Sequence, residues 1–140
     1  MEVNVTEGKD GQTSITYRVP YADTDQMGVV YYANYLVYFE RLRNELLRRR
    51  GMTYKALEEE GFFLPVVEAW CKYREPARYD DLLRIRGWIE PHSRTRIKIC
   101  CRVEREEELL AEGYTVHACI NRRGRPERIP SRLVHGNSGG

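Results

Sequence analysis

From Ser14 to Val19, apolar Ile15, Tyr17 and Val19 alternate with polar Thr16 and Arg18, the period of two of a strand with one buried face. After Tyr31 the period changes. Tyr35, Phe39, Leu42 and Leu46 recur at intervals of four, three and four, which stacks them on one helical face. The run Arg48-Arg49-Arg50 followed by Gly51 puts cations and then a glycine where a helix should stop, so the spacing predicts a helix over 31–50. Thr53 as N-cap and Gly61 as a stop bracket a second, shorter helix over 53–60. Four further segments, 63–73, 82–90, 95–104 and 110–121, have the composition of strands. Glu75-Pro76, Pro91-His92-Ser93 and Glu106-Glu107-Glu108 punctuate them. Consecutive long strands with short turns predict an antiparallel meander, and only the helix over 31–50 is long and amphipathic enough to cover its apolar face. The expected architecture is α+β, a curled antiparallel sheet wrapped around one long central helix. It forms a single domain over 14–133, with a mobile leader over 1–13 and a tail over 134–140.

The 140 residues are 41% hydrophobic and 31% charged, which suits one domain and not two. Net charge is +2, from 23 basic and 21 acidic residues. No overall field points to a nucleic-acid partner, and anion recognition has to be local. No apolar run approaches the ~20 residues that span a bilayer, and the first residues lack a basic stretch followed by an apolar core. A cytoplasmic protein with no membrane partner is expected. Cys71, Cys100, Cys101 and Cys119 lack metal-ligand spacing and read as reduced thiols, so no metal site is expected.

Chemistry concentrates in Asp23-Thr24-Asp25-Gln26-Met27-Gly28-Val29-Val30-Tyr31-Tyr32, which joins the first strand to the long helix. N–H groups in the first turn of a helix lack intrahelical partners, and with the macrodipole they favour negative charge there. A carbonyl oxygen placed against them is polarised. A thioester under attack develops charge on that oxygen, and each aimed donor commonly contributes ~10²–10³ in rate. The Asp25 carboxylate, a few residues earlier, is positioned to attack the carbon or to activate water. Gly28 lets the backbone turn and a ligand come close. Aspartates before helices also act simply as caps.

The string Asp23-Thr24-Asp25, then Gly28-Val29-Val30-Tyr31, Tyr35-Leu36, Glu40 and Arg43, resembles the signature of hotdog-fold thioesterases of the 4-hydroxybenzoyl-CoA and Tol-Pal-associated type. The similarity continues through Pro65-Val66-Val67, Pro76 to Leu82 and Gly124 to Pro130, and so covers 14–133. The resemblance implies a hotdog fold and hydrolysis of acyl-CoA without a cofactor. It makes Asp25 the nucleophile or general base and the Tyr32 backbone amide the carbonyl-polarising donor. Substrate contacts fall at Gly28, Val29, Val30 and Tyr31, and Glu40 takes a supporting role. Many Tol-Pal-associated members carry histidine where this chain has Tyr32, whereas the 4-hydroxybenzoyl type carries tyrosine. The resemblance also implies edge-to-edge dimers and a homotetramer, a dimer of dimers.

Glu40 reads equally as an ion-pair partner for Arg43, three residues on. Two arginine clusters suit the phosphates of coenzyme A, Arg94 with Arg96, and Arg122, Arg123, Arg125 and Arg128. The first matches the family's nucleotide-binding turn. The basic run from Arg41 to Arg50 is interrupted by Glu45 and carries core-facing apolar residues, which argues against an RNA-binding helix. That run also offers a docking surface for an acyl-carrier protein. A carrier-protein thioesterase and a non-catalytic acyl-CoA-binding module are the alternatives. His92, His117 and His135 form no Cys-His or metal arrangement, and no Gly-Xaa-Ser-Xaa-Gly elbow is present.

Overall fold

The computed structural model describes residues 4–7 and 11–135. Six strands form one antiparallel sheet: β1 (Asn4–Glu7), β2 (Thr13–Arg18), β3 (Val66–Tyr73), β4 (Leu82–Ser93), β5 (Arg96–Arg105) and β6 (Glu108–Ala118). Their order is β1-β2-β4-β5-β6-β3. Among the described residues three α-helices accompany them, α1 (Asn34–Arg49), α2 (Tyr54–Glu59) and α3 (Ser131–His135), with one 3₁₀ turn over Tyr21–Asp23.

The alternating pattern places Ile15 and Tyr17 of β2, Leu83, Ile85 and Ile89 of β4, and Ile97, Ile99 and Val103 of β5 on one buried face. Against that face lies α1, whose Tyr35, Phe39, Leu42 and Leu46 are buried as the spacing predicts. Tyr38, Arg43 and Leu47 are buried too, because a curled sheet covers more of the helix than a flat one. Where α1 crosses the sheet, Gly87, Cys101, Gly113 and Cys71 make one cross-strand row. A methyl group on Gly87 would overlap Leu42 and the Cys100 carbonyl, and one on Gly113 would overlap the Trp70 carbonyl and meet Phe39 at 2.8 Å. The small residues are what let the helix sit this close.

The short helix is capped as expected, with the Thr53 side chain accepting from the Ala56 N–H at 3.1 Å. Near it, Arg43 is buried with no carboxylate partner among the described residues. Its Nε donates to the Tyr54 hydroxyl at 2.7 Å, and Nη1 lies 3.5 Å from Thr115 Oγ1. His117 is buried beside Thr115 and the Leu64 carbonyl, and burial pushes its pKa down to about 4.

Several expectations are corrected. Asn4–Glu7, assigned to an unstructured leader, pairs with β2 from Asn4↔Thr16 to Glu7↔Thr13. A short polar edge strand needs no apolar periodicity because the ladder hydrogen bonds hold it. Residue 134 continues α3 and is not yet tail, and residues 136–140 lie outside those described. The sheet is not a simple meander, since β3 crosses to the far edge and pairs with β6. Pro91 to Ser93 extend β4 with a register shift and do not end it. The long helix begins at Asn34, three residues later than predicted.

Candidate active site

The loop from Pro20 to Ala33 is held by a polar knot around Asp23. Its Oδ2 accepts the hydroxyls of Tyr17 on β2 (2.6 Å) and Tyr38 on α1 (2.8 Å). Its carbonyl accepts the Tyr31 N–H and Asn34 Nδ2, each at 2.9 Å. Burial, reinforced by the hydrogen bond to Asp23, pushes the Tyr17 phenol up to about 12, and Tyr38 is raised for the same reasons. Both phenols therefore stay protonated and donating. Sequence reading gave Asp23 no role of its own. The signal was available in Tyr17 and Tyr38, tyrosines at core positions whose hydroxyls need an acceptor.

Two residues on, Asp25 is exposed. It opens a tight turn in which Gly28 N–H donates to the Asp25 carbonyl (3.0 Å) and Asp25 N–H donates to the Val29 carbonyl (2.9 Å). Gly28 has φ +77°, and nothing lies within 4 Å of the point where a side chain would project, so glycine is required by conformation and not by crowding. Asp25 Oδ1 accepts from Met27 N–H at 2.8 Å and distantly from Val29 N–H at 3.4 Å. Oδ2 has no hydrogen-bond partner among the described residues.

The Val30 N–H is committed to the Ala77 carbonyl (2.8 Å) and the Tyr31 N–H to Asp23. Neither can serve a ligand. The N–H groups of Tyr32 and Ala33 have no acceptor among the described residues. Residues 31–33 form a tight turn ahead of α1, with bonds from Asn34, Tyr35 and Leu36 back three residues. Tyr32 thus precedes the helix, and the free donors sit where the expected helix start would have put them. Ala33, unmarked in sequence, is a second such donor. A cleft of about 270 Å³ next to Tyr32 is lined by Val30, Tyr32, Tyr35, Tyr73 and Pro76.

Glu40 is exposed on α1, about 12 Å along the axis from Tyr32 at ~1.5 Å per residue. No Glu40–Arg43 ion pair forms among the described residues, because Arg43 turns inward to Tyr54. Arg94 and Arg96 are exposed on the β4–β5 turn. The Asp25 loop adjoins the other end of β4, where Leu82 pairs with Arg18, and twelve residues of extended strand separate the two by up to ~36 Å. One chain therefore does not unite the arginines with Asp25. It does unite the two arginine clusters, since the Arg94 carbonyl accepts from Ile129 N–H (2.8 Å) and the Thr95 carbonyl from Cys119 N–H (2.7 Å). A larger cavity, about 510 Å³, opens at this same end, between Tyr54, Phe63, Leu64, Pro65, Ile120 and Arg122.

The basic run of α1 is largely engaged with the protein itself. Arg43 is buried, Arg41 lies over the Tyr17 ring at 5.1 Å, Arg48 pairs with Glu45 at 3.7 Å, and Arg50 donates to the Leu133 carbonyl at 2.9 Å. Among the described residues no helix is long and apolar enough to cross a membrane.

A curled antiparallel sheet with one long helix packed on its apolar face is the architecture of the hotdog class. The profile of the thioesterase-like superfamily matches residues 19–135. The chain is 35% identical over 119 residues to the acyl-CoA thioester hydrolase YbgC of Escherichia coli O6:H1, covering 84% of this chain and 89% of that one. Hypothetical protein TT1821 from Thermus thermophilus superposes with a TM-score of 0.79 at 40% identity, over 87% of this chain and 92% of the other. Slr0204, a 1,4-dihydroxy-2-naphthoyl-CoA thioesterase from Synechocystis, superposes at 0.81 with 26% identity, over 86% and 91%. The chain belongs to the thioesterase-like superfamily.

Proposed function

We propose that the protein hydrolyses acyl-CoA thioesters to free acid and coenzyme A, with Asp25 as nucleophile or general base and the Tyr32 backbone N–H as oxyanion donor. The reading rests on one observation. An exposed carboxylate, with one oxygen tethered by Met27 N–H and the other free, stands on the same loop as the unsatisfied Tyr32 N–H. CoA thioesters are the substrate class because the relatives named above are an acyl-CoA thioester hydrolase and a naphthoyl-CoA thioesterase.

With the thioester carbonyl against the Tyr32 N–H, charge growing on its oxygen is met by a donor that has no other partner among the described residues. In the nucleophilic route Asp25 Oδ2 adds to the carbonyl carbon, the C–S bond breaks and CoA leaves as its thiolate. Water then hydrolyses the mixed anhydride, releasing the acid and regenerating the carboxylate. In the general-base route Asp25 takes a proton from water as that water adds, and CoA leaves with the proton. Neither route draws on a cofactor. Gly28 and Val29 shape the loop, Val30 lines the cleft, the Tyr31 ring packs against Tyr32, and Glu40 orients water or substrate.

The working unit in this reading is a homodimer, paired further into a tetramer. The outer edge of β3 is unpaired among the described residues, and Val66, Val67, Trp70 and Tyr73 are exposed along it, with Leu36 and Val37 on α1. Unpaired apolar edges recruit another strand. Antiparallel pairing of two β3 strands lays the Val66 end of one copy beside the Tyr73 end of the other, ~23 Å away in a single chain. The Leu64–Pro65 cavity and the Arg94 and Arg96 turn lie at the Val66 end, since Ala118 sits opposite Arg96 in the β5–β6 register and donates its N–H to the Pro65 carbonyl. The partner then supplies the acyl pocket and the phosphate-binding arginines that one chain keeps apart from Asp25. One folded unit, the predicted 14–133 together with β1 and the end of α3, located in the cytoplasm, is the corresponding reading of organisation and location.

The test is thiol release from short, long and aromatic acyl-CoAs by the wild type and Asp25→Asn in parallel. Turnover of at least one class, reduced ~10²-fold or more in the variant with assembly intact, supports the proposal. Binding without turnover in both proteins replaces it with an acyl-CoA-binding module.

A further inference from the structure

Tyr73 ends β3 with its hydroxyl donating to the Tyr32 carbonyl at 3.1 Å. Its ring meets Tyr35 edge-on at 5.1 Å and Tyr32 at 6.4 Å. Tyr35 is itself fixed, buried with its hydroxyl accepting the Ala77 N–H at 3.1 Å. The Tyr32 carbonyl and the Ala33 N–H belong to one peptide group, so whatever holds that oxygen also aims that N–H. Among the described residues the one other bond to the oxygen is the 3.3 Å contact from Tyr35 N–H, long for a backbone bond. On its other side the turn is clamped by Asp23, through the Tyr31 N–H and Asn34 Nδ2. Asp23 therefore fixes where the turn begins, and Tyr73 is what fixes the peptide plane that follows.

We propose that Tyr73 is a positioning residue for thioester hydrolysis, its hydroxyl orienting and polarising the Tyr32–Ala33 peptide so that the Ala33 N–H joins the Tyr32 N–H as an oxyanion donor. The inference rests on the proposed thioesterase reading and adds a second donor and the group that aims it. Two effects operate together. A carbonyl that accepts a hydrogen bond makes the N–H of its own peptide a better donor, and a pre-aimed donor needs no reorientation as charge develops. Burial and neighbouring Cys71 push the Tyr73 phenol up to about 12, so it remains a donor throughout the neutral range. Because Tyr73 lies on the outer edge of the sheet, a second copy seated there would also steady the donor turn.

Tyr73→Phe keeps the ring and deletes only the donor. The expected result is a kcat about 10-fold lower with KM and assembly unchanged, against the ~10²–10³ lost when a direct oxyanion donor is removed. Tyr73→Leu, which also strips the ring contacts, is expected to lose stability as well. The carbonyl carbon shift of Tyr32 and the amide proton shift of Ala33, followed by NMR in the wild type and Tyr73→Phe, report the hydrogen bond without reference to activity. A wild type that turns over substrate, paired with a Tyr73→Phe of equal kcat or unmoved Tyr32 and Ala33 resonances, overturns the inference alone. A wild type that hydrolyses no thioester removes the thioesterase reading and this inference together.

Discussion

Asp23 and Asp25 are two residues apart in one loop, yet their surroundings assign them opposite work. Asp23 points inward and is saturated, taking two tyrosine hydroxyls on its carboxylate and two donors on its carbonyl. Asp25 points out, is held through Oδ1 and leaves Oδ2 open. A carboxylate already engaged by buried hydroxyls gives stability and has little left for chemistry. One that is oriented but unsatisfied is available to a substrate. A 3₁₀ turn over Tyr21–Asp23 ends at Asp23 and a tight turn opens at Asp25, which separates the two, and α1 and β2, through Tyr38 and Tyr17, decide that Asp23 faces inward.

The contrast is broken most directly at its stable end. Asp23→Ala removes a charged acceptor from two hydroxyls, at about 1.5–3 kcal/mol each, so denaturant titration should find a loss of about 3–6 kcal/mol. Asp23→Asn, which retains an acceptor oxygen, should lose less. A loss below about 1 kcal/mol for the alanine variant would mean that the knot is not what holds the loop. Asp25→Asn should do the reverse, with an unchanged unfolding midpoint because its amide oxygen still accepts from Met27 N–H, and activity down ~10²-fold.

The tyrosines sharpen the comparison through pH. The folded pKa of Tyr17 lies above its ordinary value, so the stability it confers is complete below about pH 10 and is lost as pH rises toward about 12. Tyr38 acts in the same direction. Stability should fall over that window by about 1.4 kcal/mol per pH unit for each tyrosine that ionises only on unfolding. Tyr17→Phe should flatten the slope, while Asp25→Asn should leave it untouched. The smallest effect belongs to the distant arginines. Arg94→Ala with Arg96→Ala should raise KM for acyl-CoA about 5–10-fold, with kcat preserved and the difference shrinking at high salt. An equal fall in kcat would place the arginines nearer the reacting carbon than the proposed dimer allows.

Much of the frame was legible in the chain. The four-three-four spacing of Tyr35, Phe39, Leu42 and Leu46 marks the helix and its buried face, and Thr53 marks the start of the next one. Strand positions were readable, whereas their order was not, because periodicity says which face of a strand is buried and nothing about its neighbours. That is why β3 was expected in a meander and lies at the far edge. Asp25 and a set of open donors at the helix start were readable from the loop, since a turn feeding a helix leaves donors over wherever the helix begins, whereas Tyr32 in particular came from the family resemblance. Ala33 was missed because a backbone donor has no side-chain signature. Tyr73 was missed because its hydroxyl reaches a carbonyl 41 positions away in sequence.

Local chemistry, then, determined a great deal by itself. Side-chain period specified the central helix and the inward face of β2, composition and turn residues placed the later strands, and the stretch from Asp25 to Tyr32 set a carboxylate ahead of the open donors of a helix start. The tertiary structure decided everything that depends on distant residues sharing a neighbourhood. It buried Arg43 against Tyr54 in place of an ion pair with Glu40, and it turned Asp23 into an anchor by bringing Tyr17 and Tyr38 together. It also set Arg94 and Arg96 at the opposite end of β4 from Asp25. The physical reason is that spacing along the chain constrains which face a residue presents, while its partners follow from how faces pack, and only the sheet curled around α1 settles that.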